Sequence, residues 1–67
     1  MKKTLITNMR AYAGGAMFMT RDQLAGFMGY SDAHSIDVYL QDVFREGKSR
    51  YFIPEIADNL IKLGKRS

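Results

Sequence analysis

Thr20-Arg21-Asp22-Gln23-Leu24-Ala25-Gly26-Phe27-Met28-Gly29-Tyr30-Ser31-Asp32, running on through Ala33-His34-Ser35-Ile36-Asp37-Val38-Tyr39-Leu40-Gln41-Asp42-Val43-Phe44, is the stretch whose reading decides the fold. Thr20 is an N-cap residue type, Gln23 stands three positions on as its capping-box partner, and Asp22 places negative charge in the first turn. Leu24, Phe27 and Met28 form the inner side of the helix this predicts, and Gly29 supplies its left-handed stop. Tyr30-Ser31-Asp32 is turn chemistry, with Ser31 or Asp32 available to cap another helix that carries Ile36, Tyr39, Leu40, Val43 and Phe44. So short a connection makes the two helices cross steeply, and Ala25 and Gly26 offer the small side chains that such a crossing needs. The pair reads as a helix-turn-helix over about 20–44.

Upstream, Leu5, Ile6, Met9, Tyr12 and Ala13 recur at helical spacing until Gly14-Gly15 interrupts them, which predicts a first helix over 4–13. Ala16 to Met19 is too short for a helix and fits one strand, 17–19. Downstream, Arg45-Glu46-Gly47-Lys48-Ser49-Arg50 is a polar loop around one glycine, and Tyr51-Phe52-Ile53 is β-prone, so 45–53 reads as a small β-wing whose last strand pairs with 17–19. Pro54 suits a helix's first turn. Glu55 follows it, and Ile56, Leu60, Ile61 and Leu63 form an apolar stripe over a closing helix, 54–63, with Gly64 at its end and Lys62 and Lys65 at its negative pole. On the alternating strand Tyr51 and Ile53 face inward and Phe52 outward beside Arg50. The expected core is Leu24, Phe27, Ile36, Leu40, Tyr51, Ile53, Ile56 and Leu60, with the methionines filling gaps.

The fold class is therefore mainly α with a small β-wing, a winged helix-turn-helix in one domain spanning 1–67. Sixty-seven residues, 46% of them hydrophobic, suffice for one small core. There are no cysteines to staple it and only one histidine, so neither a disulfide framework nor a cysteine-histidine metal site is available, and no cofactor is expected. No apolar run approaches the ~20 residues of a membrane span, and Lys2-Lys3 lead into a polar stretch unlike a signal peptide. A soluble cytoplasmic protein is the expectation. The formal charge of +3 and the pI near 9.5 favour an acidic partner, with nucleic acid the commonest for a small basic domain. Serine-histidine-aspartate, paired-carboxylate and phosphate-loop spacings are missing, so a binding protein is expected, not an enzyme.

Met19-Thr20-Arg21-Asp22-Gln23-Leu24-Ala25 with Gly29-Tyr30-Ser31, then Ser35-Ile36 and Tyr39-Leu40, then Gly47-Lys48-Ser49-Arg50-Tyr51-Phe52-Ile53-Pro54-Glu55-Ile56-Ala57, resembles the winged-helix excisionases of phages and conjugative transposons, which share their fold with the DNA-binding domain of MerR-type regulators. The resemblance covers about residues 17–64. It implies an architectural protein that binds and bends double-stranded DNA near a recombination site and steers an integrase toward excision. Ser31, His34, Ser35 and Gln41 would match the groove-reading element, and Lys48 and Arg50 the wing.

Two features depart from that pattern. The first buried position of the reading helix, Ile36, falls one residue later than the common spacing, so the turn is one residue longer. The same helix carries Asp37 and Asp42, which phosphates repel unless the carboxylates face away or accept from cytosine amino groups. On the residues alone, Arg21 at the start of the first helix of the pair, Arg45 at the end of the second, and Lys48 and Arg50 in the wing are the phosphate-facing cations. The runner-up is a protein-interaction module that keeps this core and docks a recombination or replication protein through the acidic third helix and Phe52.

Overall fold

A computed structural model of the chain describes residues 1–47 and 49–64, and for Ala33 and Gly64 the backbone alone. Thr20 caps α2 (Arg21–Met28). The Gln23 amide donates to Thr20 Oγ1 at 3.0 Å while the Thr20 amide donates to Gln23 Oε1 at 2.8 Å, so two of the helix's orphan donors are satisfied reciprocally. At the other end Gly29 takes φ 82°, a left-handed conformation a β-carbon would strain, and the Tyr30 amide reaches back to the Ala25 carbonyl at 2.9 Å.

β1 (Phe18–Thr20) runs directly into α2. A hairpin of β2 (Arg45–Glu46) and β3 (Arg50–Phe52) turns at Gly47, φ 69°. The sheet is antiparallel, in the order β1-β3-β2, with Phe18 opposite Phe52, Met19 opposite Tyr51 and Arg45 also opposite Tyr51. The pairing expected between 17–19 and 51–53 is therefore present, shifted by one. Ile53 belongs instead to the start of α3 (Ile53–Gly64), though its amide still donates to the Met17 carbonyl at 2.9 Å. Pro54 sits in that helix's first turn, where a missing amide proton leaves nothing unpaired.

The third helix departs most from expectation. Its residues wind as a 3-10 helix, Ala33–Leu40, and it stops at Leu40, so Val43, Phe44 and Arg45 lie outside it. The cap is Asp32, whose carboxylate accepts the His34 amide at 2.9 Å; Ser31 makes no cap. Termination comes from elsewhere in the chain. Asn59 Nδ2 on α3 donates to the carbonyls of Tyr39 at 2.9 Å and Gln41 at 3.3 Å, taking up acceptors left free at a helix end. Glu55 Oε1 accepts the Phe44 amide at 2.8 Å, and the Phe44 carbonyl accepts the Phe52 amide at 2.9 Å, so Phe44 extends the hairpin. Asp42 takes φ 62° in the sharp bend between, a conformation that aspartate tolerates better than most residues.

α1 (Lys2–Tyr12) packs against α3 and, at its end, against α2. Gly14 and Gly15, at φ 75° and 91°, turn the chain where the sequence placed a stop. Gly26 serves this packing rather than the crossing with the third helix: a β-carbon there would sit on the Tyr12 hydroxyl. Tyr12 also meets Phe27 edge-on at 5.7 Å.

Met9, Met19, Leu24, Ala25, Ile36, Leu40, Ile53, Ile56 and Ala57 are buried. Phe27, Tyr51 and Leu60, expected inside, are only partly covered and pack against that cluster. Met9 and Met19, unbranched and adaptable, take the central places instead. The result is a mostly helical protein, three α-helices and one 3-10 helix among the described residues, with a small three-stranded antiparallel sheet.

Candidate functional site

Capping fixes where the polar side chains of the helix pair emerge. With Thr20 closing the start of α2, Arg21 occupies its first position and extends toward the 3-10 helix. There the tight winding puts His34 and Asp37, three residues apart, on one face. Arg21 bridges both. Its Nε donates to Asp37 Oδ1 at 2.7 Å and its Nη2 to Asp37 Oδ2 at 3.0 Å, a two-pronged pairing. The same Nη2 lies 2.8 Å from His34 Nδ1. A guanidinium only donates, so Nδ1 is the acceptor and the neutral ring's proton sits on Nε2.

The hydrogen bond from Arg21, together with its positive charge, holds the Asp37 carboxyl below the usual carboxylate range. Reciprocally, the hydrogen bond to Asp37 raises Arg21 above its ordinary value. Both groups lie at the surface, so the ion pair adds little to stability. Its main effect is to orient Arg21 and to offset the positive charge it offers to solvent.

Between α2, the 3-10 helix and β3 lies an open cleft of about 400 Å³, lined by Arg21, Asp37, Leu40, Gln41 and Tyr51. Gln41 was expected on the third-helix face; it lies one residue past the helix, extended and exposed, because Asn59 ends the helix there. Arg45, expected at a helix end, stands instead on β2, with its guanidinium 5.7 Å over the Tyr51 ring and Nη1 3.4 Å from the Tyr51 hydroxyl. Tyr51 thus lies between Arg45 and the cleft that Arg21 lines.

Arg50, exposed, lies 5.6 Å over Phe18 and 3.5 Å from Glu46. Ser31, His34 and Ser35 are exposed at the start of the 3-10 helix. Lys48 lies outside the described residues. The helix pair and the hairpin therefore bring Arg21 and Gln41 to one cleft, with His34 against Arg21 and Arg45 against Tyr51 behind its lining, while Arg50 points to the opposite face of the sheet, with Phe18 and Phe52.

Sequence reading places Asp37 on the groove-reading helix as an acid that repels phosphate, faces away or accepts from cytosine, but not as the partner of Arg21, and it gives the Tyr51 hydroxyl no part in the site. The i,i+3 spacing of His34 and Asp37 was the available signal for the first; nothing in sequence links Tyr51 to Arg45. Among the described residues no three histidines, cysteines or carboxylates are grouped to hold a metal, and no helix is long and apolar enough to cross a membrane. No family model matches the chain, and neither does any curated protein or solved structure.

Proposed function

We propose that the chain binds double-stranded DNA as a winged helix-turn-helix module and acts as an excisionase-like architectural factor or small transcriptional regulator of a bacterial mobile element. One observation carries the reading: a capped helix, a left-handed glycine turn and a second helix with an exposed polar first turn stand beside a hairpin bearing arginines. A major groove about 12 Å wide accepts one helix, and a hairpin beside it reaches the backbone.

In this reading Arg45, Lys48 and Arg50 neutralise phosphates, with Arg21 contributing as far as Asp37 allows. Ser31, His34 and Ser35 face base edges or phosphates. The net charge of +3 supports attraction to DNA in general. Phosphate neutralisation and groove reading require no cofactor, and the work belongs in the cytoplasm. One short reading helix covers few base pairs, so useful specificity calls for further copies on DNA or an integrase partner.

The test is a salt titration of duplex binding by fluorescence anisotropy. Replacing Lys48 and Arg50 together with alanine is expected to weaken binding to all sequences alike and to flatten the slope of log affinity against log salt by about 2. Alanine at His34 or Ser35 is expected to relax preference at one or two base pairs, by about 1 to 3 kcal/mol on the preferred site, with little change on random DNA. An unchanged slope removes the wing from the mechanism, and no affinity for any duplex at low salt overturns the reading.

A further inference from the structure

The outer face of the sheet carries an aromatic cluster that the DNA-binding reading does not use. Phe18 and Phe52 lie opposite each other on β1 and β3, their rings 5.3 Å apart. Phe44, drawn out of the helical pattern into the hairpin, completes the group at 6.2 Å from Phe18 and 6.3 Å from Phe52. Phe44 is 57% exposed. Phe18 and Phe52 are partly covered and Phe44 stands open on them, so the three rings leave one continuous, small aromatic patch in water.

The cluster's charged border points to its occupant. Arg50, over Phe18, and Glu46, beside it on β2, lie on the same face. Their mutual ion pair is loose, 3.5 Å, with both side chains about half exposed (52% and 57%). An aromatic centre bordered by one arginine and one glutamate is self-complementary about a two-fold axis. Each Arg50 can exchange its own Glu46 for that of the other copy at almost no cost, while the rings close over one another.

We infer that this face is an interface with a second copy of the chain, in which the Phe18–Phe44–Phe52 clusters stack across a two-fold axis and Arg50 of each copy pairs with Glu46 of the other. Three rings make a small patch, well below the ~800 Å² per partner of a stable complex. The dimer is accordingly weak in free solution, and strengthens where something else holds two copies close. Arg50 is shared with the proposed phosphate contacts, so self-association is measured without DNA, where only the dimer contact is read.

The experiment is sedimentation equilibrium of the full chain without DNA, from micromolar to millimolar, with ring-proton NMR shifts of the phenylalanines followed over the same series. The wild-type chain is expected to dimerise with concentration-dependent shifts at Phe18, Phe44 and Phe52. Phe44→Ser, at an exposed position, should keep the fold by circular dichroism and weaken the dimer about tenfold or more. Glu46→Arg and Arg50→Glu should each weaken self-association by placing like charges across the axis, and an equimolar mixture of the two should regain it as a mixed dimer. A wild-type chain that stays monomeric throughout overturns the proposal. So does a dimer indifferent to Phe44→Ser, or charge variants whose mixture associates no better than either alone.

Discussion

Arg21 and Asp37, sixteen residues apart, are joined by two hydrogen bonds of 2.7 and 3.0 Å that tie the start of α2 to the middle of the 3-10 helix. An acid suspected of repelling DNA is thus already answered by the nearest cation. The pairing also fixes how the helix pair presents its charge.

The pair has a titration signature. Asp37 is held below its ordinary value of 3.8, chiefly by the hydrogen bond from Arg21. Because the folded value is the lower one, the stabilisation is fully present above about 3.8 and is lost as the pH falls through the folded value. Carbon-detected NMR titration should show Asp37 protonating at lower pH than an ordinary aspartate, and Arg21→Gln should move it back toward 3.8. An Asp37 that titrates normally in the wild-type chain would mean that the bidentate contact does not persist in solution.

Neutralising the same acid should strengthen DNA binding. Asp37→Asn keeps an acceptor for Arg21 but releases its net charge, so the proposed function predicts tighter binding to random duplex and a salt slope steeper by about 1. Weaker binding in this variant would instead assign Asp37 a role in placing Arg21 that outweighs its charge.

Gly26 and Tyr12 should be energetically coupled. Helix propensity alone favours Gly26→Ala by about 1 kcal/mol, but the new methyl group meets the Tyr12 hydroxyl. In a Tyr12→Ala background the gain should appear in full, and in the wild-type background it should be reduced or reversed. A double-mutant cycle by chemical denaturation measures the difference; additive effects would show that Tyr12 moves aside freely.

Leu40→Ala, at the buried end of the 3-10 helix, should cost roughly 2 to 5 kcal/mol, a large share of the stability of so small a domain. Val38, two residues earlier and 46% exposed, is the control: Val38→Ala should stay within about 0.5 kcal/mol. Thermal unfolding of both variants decides whether the helix faces the core as described.

Where local chemistry suffices, the sequence was legible. The Thr20–Gln23 capping box, the left-handed stop at Gly29, the glycine turn at Gly47 and the apolar stripe of α3 each follow from residues within one or two helical turns of each other. Those signals located the helix pair and the hairpin to within a residue or two, apart from the end of the third helix. What sequence could not supply were contacts made across the fold. Asn59 ends the third helix by taking its last carbonyls, Glu55 draws Phe44 into the hairpin, and Tyr12 requires Gly26 to be small. Asp37 claims Arg21 in the same way. A helical period at Val43 and Phe44 is a preference worth a few tenths of a kcal/mol per residue, and side-chain groups from a distant helix outweigh it by satisfying backbone donors and acceptors that local winding leaves free.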